Sequence, residues 1–255
     1  MLTSVALTLL ATSATAGFWD DCEYKAPRNA AISAAGATRI VIVGRAGELR
    51  VTGAPGASEV RAKGTACTSE RDNLDDITLV ATRSGSEVRI EAKVPEFSGW
   101  HSRNMLDFEV TVPAGIPLRI DDSSGEMTVE GVASADIHDS SGALHVRRVN
   151  GDLSIDDSSG EVTVDHVTGR VTIEDSSGSI EVDDAGEVDI PSDGSGGVEI
   201  RHVRRSVNIG SKGSGGVAVS DVGGDLVVHH KGSGDIDYER VSGRVEIPRR
   251  HRRDD

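Results

Sequence analysis

Residues 157–178 read DSSGEVTVDHVTGRVTIEDSSG, and this stretch decides the fold. A turn, Asp157-Ser158-Ser159-Gly160, precedes the alternation Val162-Thr163-Val164; after a break at Thr168-Gly169, a second alternation, Val171-Thr172-Ile173, leads back to the same turn at Asp175-Ser176-Ser177-Gly178. Apolar residues at period two mark strands with one buried face, and serine and glycine mark the corners. The unit is thus two short strands and two turns.

Working outward, the turn glycine recurs at Gly125, Gly142, Gly160, Gly178, Gly196, Gly215 and Gly234, at spacings of 17 to 19 residues. Two positions after it stand Met127, Leu144, Val162, Ile180, Val198, Val217 and Ile236, and two further on Val129, Val146, Val164, Val182, Ile200, Val219 and Tyr238. A third column runs from Val132 and Val149 to Val222 and Val241. The second strand adds inward pairs from Ala135/Ile137 and Leu153/Ile155 to Leu226/Val228 and Val245/Ile247. Such a repeat predicts an all-β, single-chain β-solenoid, parallel β-helix-like, of about seven coils over residues 118–248. One coil orders too much backbone for the five small side chains it buries, so stability must come from stacking and the ends need caps. The serine before each glycine is read as turn chemistry and not as a nucleophile.

The rest of the chain fits an exported rod. Val5 to Ala11 is a short apolar stretch, followed by Ala14-Thr15-Ala16, a small-x-small pattern, so residues 1–16 read as a secretory signal despite the absence of Lys or Arg at the start. Residues 17–117 carry short strands around Ile40, Leu49, Val60, Ile77, Val88 and Phe108, and read as a β-rich N-terminal cap with room for imperfect coils. Trp100-His101-Ser102-Arg103-Asn104 reads as a longer loop, and 249–255 as a charged tail. No other segment is long and apolar enough for a membrane-spanning helix. The expected location is exported: periplasm, cell surface or secreted. Cys22 and Cys67, an even count in an exported chain, favour one disulfide over two free thiols.

Aromatic residues make up only 3% of the chain, so the core must be thin and aliphatic, and a net charge of -15 opposes binding to a phosphate backbone. The acids concentrate over 121–199, with 20 Asp and Glu against 3 Lys and Arg, whereas 200–255 holds 8 against 11. Asp122, Asp139, Asp157, Asp175 and Asp193 share one corner column, continued by Lys212 and Lys231. This column reads first as a solvated acidic edge, with weak calcium binding as the alternative. The nonapeptide calcium-roll pattern does not recur. His138, between Asp121 and Asp156 in one column, has no nucleophile motif beside it, and His145, His166 and His202 read as surface residues. No catalytic residue and no cofactor other than weak calcium is expected.

With Val112-Pro113-Ala114-Gly115 leading into the Ser-Gly repeats, and with Gly232-Ser233-Gly234-Asp235-Ile236 and Val241-Ser242-Gly243-Arg244-Val245 closing them, the chain resembles the bacterial putative-adhesin family over roughly residues 20–248. The resemblance implies an exported Gly-rich β-solenoid of the cell envelope and transfers no catalytic residues. The expected role is a non-enzymatic, adhesin-like binding or scaffold protein, with a glycan, surface polymer or envelope protein as partner and no nucleic acid. A carbohydrate-active β-helix enzyme and a calcium-stabilised structural solenoid are the alternatives.

The parity of the strands is testable. Val164→Asp, at an inward position, should cost about 3 kcal/mol or more in urea unfolding, and Thr163→Asp, its outward neighbour, less than about 1 kcal/mol. Equal losses would contradict the assignment.

Overall fold

The computed structural model describes residues 22–95 and 103–248. The expected signal at 1–16, the 100–102 part of the expected loop and the 249–255 tail lie outside these residues. Twenty strands join in one sheet, with a single 3-10 turn at Arg71–Asn73 and no α-helix among the described residues.

The N-terminal strands are β1 (Tyr24–Ser33), β2 (Arg39–Val43), β3 (Leu49–Ala54), β4 (Glu59–Thr68), β5 (Thr78–Ser84), β6 (Glu87–Lys93) and β7 (Asn104–Pro113). The coils continue with β8 (Leu118–Asp121), β9 (Met127–Glu130), β10 (Ala135–Asp139), β11 (Gly142–Val149), β12 (Leu153–Asp157), β13 (Gly160–Asp175) and β14 (Gly178–Ser195). The last are β15 (Val198–Val203), β16 (Val207–Ser214), β17 (Val217–Val222), β18 (Leu226–Lys231), β19 (Ile236–Val241) and β20 (Val245–Glu246). β8, β10 and β12 stack in a first row and β9 and β11 in a second, and β13 and β14 each bend through a corner and serve both rows of the solenoid.

Each coil stands one strand spacing, about 4.8 Å, above the last. Like residues therefore stack on like: Val146 pairs with Val129 below and Val164 above, and Ile155 with Ile137 and Ile173. The parity read from the sequence holds along the rod, with Val129, Val146, Val164, Val182 and Ile200 completely buried. It weakens only in the last coil, where Tyr238 is 51% exposed and Ile236, Val241, Val245 and Ile247 are partly buried. Among the described residues these have a coil beneath them and none above.

Two corners make the stacking possible. At the first, Gly142, Gly160, Gly178 and Gly196 have φ between 131° and 149°, and a Cβ on any of them would lie 1.5–1.8 Å from the carbonyl oxygen of the turn glycine one coil below. Glycine is required both for its conformation and for the approach of two backbones. At the second corner a left-handed residue precedes each residue of the third apolar column: Arg148, His166, Asp184, His202, Asp221 and Arg240, with φ of 52–57°. Side-chain-bearing residues occupy that region at a cost. Because they point outward, their side chains form a charged surface ladder.

The N-terminal region does more than cover the first coil. β2 pairs in parallel with β8 and β6, and β3 with β9 and β7, so a coil early in the sequence is inserted between two later ones. Val41 and Val43 have outward parity yet are buried. Val41 lies between Arg89 and Arg119, and Val43 between Glu91 and Asp121, so polar side chains on each side, the long stems of the two arginines above all, shield the pair. The end of the stack is closed by antiparallel strands, β4 on β7 with β1 on β4, and β5 on β6. Cys22, just before β1, is paired with Cys67 of β4 at a Cα separation of 5.7 Å, which suits a disulfide.

Two adjacent glycines isolate the close-approach requirement. Gly196→Ala should cost about 3 kcal/mol or more, because its Cβ would meet the Gly178 carbonyl, whereas Gly197, with open space at its Cβ position, should tolerate alanine within about 0.5 kcal/mol. Urea unfolding of both variants decides it, and similar losses would refute a backbone contact at Gly196.

Candidate functional site

The corner aspartates follow directly from strand alternation. In four coils the last inward isoleucine of the first-row strand is followed two residues later by aspartate: Ile120 and Asp122, Ile137 and Asp139, Ile155 and Asp157, Ile173 and Asp175. Same parity means same face, so each carboxylate turns inward with its isoleucine. The next coils carry one extra residue, as in Ile190-Pro191-Ser192-Asp193 and Ile209-Gly210-Ser211-Lys212, and a register irregularity absorbs it. Asp193 still pairs with Asp175 below and Lys212 above, and Lys212 with Lys231.

The structure therefore corrects the reading of this column as a solvated edge. Asp122, Asp139, Asp157, Asp175 and Asp193 are only 2–7% exposed, and Lys212 3%. Parity was the available clue, outweighed by the expectation that a row of acids faces water. Two turns partly satisfy their carboxylates: the Ser159 N–H donates to Asp157 Oδ1 (3.2 Å) and the Ser177 N–H to Asp175 Oδ1 (3.1 Å). Oδ2 of Asp157 and Asp175, and both carboxylate oxygens of Asp122 and Asp139, have no side-chain or turn donor in bonding geometry. Asp122 begins the column because the coil below offers Gly44, where a Cβ would come within 2.0 Å of its Oδ1. At the other end Lys212 Nζ lies 2.8 Å from Asp193 Oδ2 and also donates to the Ser214 carbonyl. Lys231 turns to Asp235 at 3.9 Å.

Electrostatics follow from this placement. Burial, reinforced by the neighbouring Asp139 charge, pushes Asp122 up to about 7. Burial, with Asp139 and Asp175 on either side, pushes Asp157 up to about 6. Asp139 and Asp175 are raised chiefly by burial, and so is Asp193, where Lys212 works in the opposite direction. Among the described residues no three His, Cys, Asp or Glu side chains converge on one possible metal position. A cation in the column would have to sit between two neighbouring carboxylates.

The histidines lie elsewhere. His138 Nε2 is 3.4 Å from Asp136 and its Nδ1 3.5 Å from Asp156 on the outer face of the first row. His166 and His202 stand in the second-corner ladder with Asp184 in the coil between them: His166 Nε2 is 3.6 Å from Asp184, and His202 pairs with Asp183 at 2.6 Å. They do not meet. The outer face of the second row carries two polar columns, Thr128, His145, Thr163 and Glu181 in one, and Glu130, Arg147, Asp165 and Asp183 in the other, around an open depression.

The pH dependence has a definite sign. A carboxyl raised above its ordinary value in the folded state stabilises the fold when protonated, and that contribution is lost as pH rises from about 4 through about 6 for Asp157 and about 7 for Asp122. In chelator-containing buffer the melting temperature should fall between about pH 5 and pH 8, and Asp122→Asn should flatten the profile. A wild-type profile that is flat or rises over this range would contradict the raised carboxyls.

No family model matches the chain, and no curated protein matches it. Solved structures do. One is a putative adhesin from Bacteroides fragilis NCTC 9343, at 16% identity over 89% of this chain and 99% of that one, with a TM-score of 0.44. Another is a putative cell adhesion protein from Clostridium sporogenes ATCC 15579, at 13% identity over 87% and 100%, with a TM-score of 0.32. A third is a putative lipid binding protein from Parabacteroides distasonis ATCC 8503, at 14% identity over 86% and 96%, with a TM-score of 0.36.

Proposed function

We propose that this chain is an exported, non-enzymatic, adhesin-like binding or scaffold protein of the bacterial envelope, which presents the outer face of its second row to an extended glycan or surface polymer. The observation that supports this reading most strongly is the in-register ladder itself. From β9 to β19 every coil repeats the same outward positions at the strand spacing, so a polymer lying along the rod would meet mostly polar side chains, varied in kind, at regular intervals. The depression around His145, Arg147, Thr163 and Glu181 is lined by hydrogen-bonding side chains suited to hydroxyl groups. Its width over several coils favours an extended ligand over a small one. No helix among the described residues is long and apolar enough to cross a membrane.

Binding to an array of bacterial glycans and envelope polymers tests the proposal. Saturable retention of at least one polymer is expected, weakened about tenfold or more by Thr163→Lys combined with Glu181→Lys while the melting temperature stays within a few degrees. Retention of no polymer, or binding unaffected by these outward substitutions, would argue against this face as the binding surface.

A further inference from the structure

The corner column presents an unmet electrostatic requirement. Five carboxylates are stacked inside the rod about one strand spacing apart, and buried charges are costly unless paired. At one end the chain supplies its own cation: the Lys212 ammonium sits 2.8 Å from Asp193 Oδ2 and bonds the Ser214 carbonyl. A positive group therefore fits this corner, held by one carboxylate and one turn carbonyl.

The same oxygens recur below. The Ser214 carbonyl accepts the Gly196 N–H from the coil beneath and keeps a second lone pair for Lys212; the carbonyls of Ser159 and Ser177 accept the Gly142 and Gly160 N–H groups in the same way. In the same corner Asp122 and Asp139 each have two oxygens without a hydrogen bond of good geometry, the turn N–H groups of Ser123, Ser140 and Ser141 only leaning toward them, and Asp157 and Asp175 have one such oxygen each. With Asp193 assigned to Lys212, four aspartates remain.

We propose that these four form two interior cation sites, with one divalent ion between Asp122 and Asp139 and one between Asp157 and Asp175. Two divalent ions and the Lys212 ammonium then balance the charge of the five carboxylates. The ligands are all oxygen and the spacing is set by the coils, which favours Ca2+, tolerant of irregular geometry, over Mg2+, which demands a near-ideal octahedron. With two carboxylates per ion, affinity should be about millimolar, as in extracellular calcium modules. The sites are independent of the outward face proposed for binding.

The exported chain, stripped with EDTA and dialysed into chelator-free buffer at about pH 8, is titrated with CaCl2 by equilibrium dialysis up to about 10 mM. Saturable uptake approaching two Ca2+ per chain is expected, with Mg2+ taken up at least about tenfold more weakly. Asp139→Asn should leave one ion per chain, and Asp139→Asn with Asp175→Asn none, with the β-type circular dichroism spectrum retained. If the variants do not fold, the wild-type titration still decides. No uptake, uptake that does not saturate, or saturable uptake undiminished in a folded double variant would each overturn the proposal, the last two by assigning the ions to surface acids.

Discussion

Everything in this molecule depends on coils stacking at the spacing of a hydrogen-bonded parallel strand pair. The strand N–H and C=O groups of each coil find their partners in the coils above and below, so the interval is set by hydrogen-bond length and not by side-chain size. The core then has to accommodate that interval. Valine and isoleucine stacked on themselves fill it without the bulk of aromatic rings, and at the first corner two backbones come so close that only glycine remains possible.

Identical stacking also governs charge. On the outer surface some charges alternate between coils, as Arg147 pairs with Glu130 at 2.9 Å, Arg204 with Asp184 at 2.7 Å and Arg240 with Asp221 at 2.6 Å, while acids that do stack, such as Asp165 and Asp183, face water. Such pairs add little individually in water. Inside the first corner there is no alternation for five coils, and only Lys212 changes the sign. A rod that stacks five carboxylates in its interior has placed its strongest electrostatic demand where solvent helps least.

The two ends solve the problem of termination differently. At the N-terminal end antiparallel strands cover the stack, and the Cys22 and Cys67 pair ties the first of them to its neighbour. At the other end the last described coil leaves Tyr238 half exposed, because among the described residues no coil stacks above it.

The sequence by itself determined the repeat, the strand parity and the five apolar columns, because period-two alternation and glycine spacing are local properties that survive in one dimension. It also contained the inward direction of the corner aspartates, two residues beyond Ile120, Ile137, Ile155 and Ile173, although acidity concealed it. Only the tertiary structure decided that residues 39–54 enter the stack between strands that come later in the chain, since pairing between distant segments leaves no periodic trace. It also decided that Gly44 makes room for Asp122 and that Lys212 closes the column against Asp193. Those contacts join residues of different coils, and their geometry exists only once the backbones are stacked.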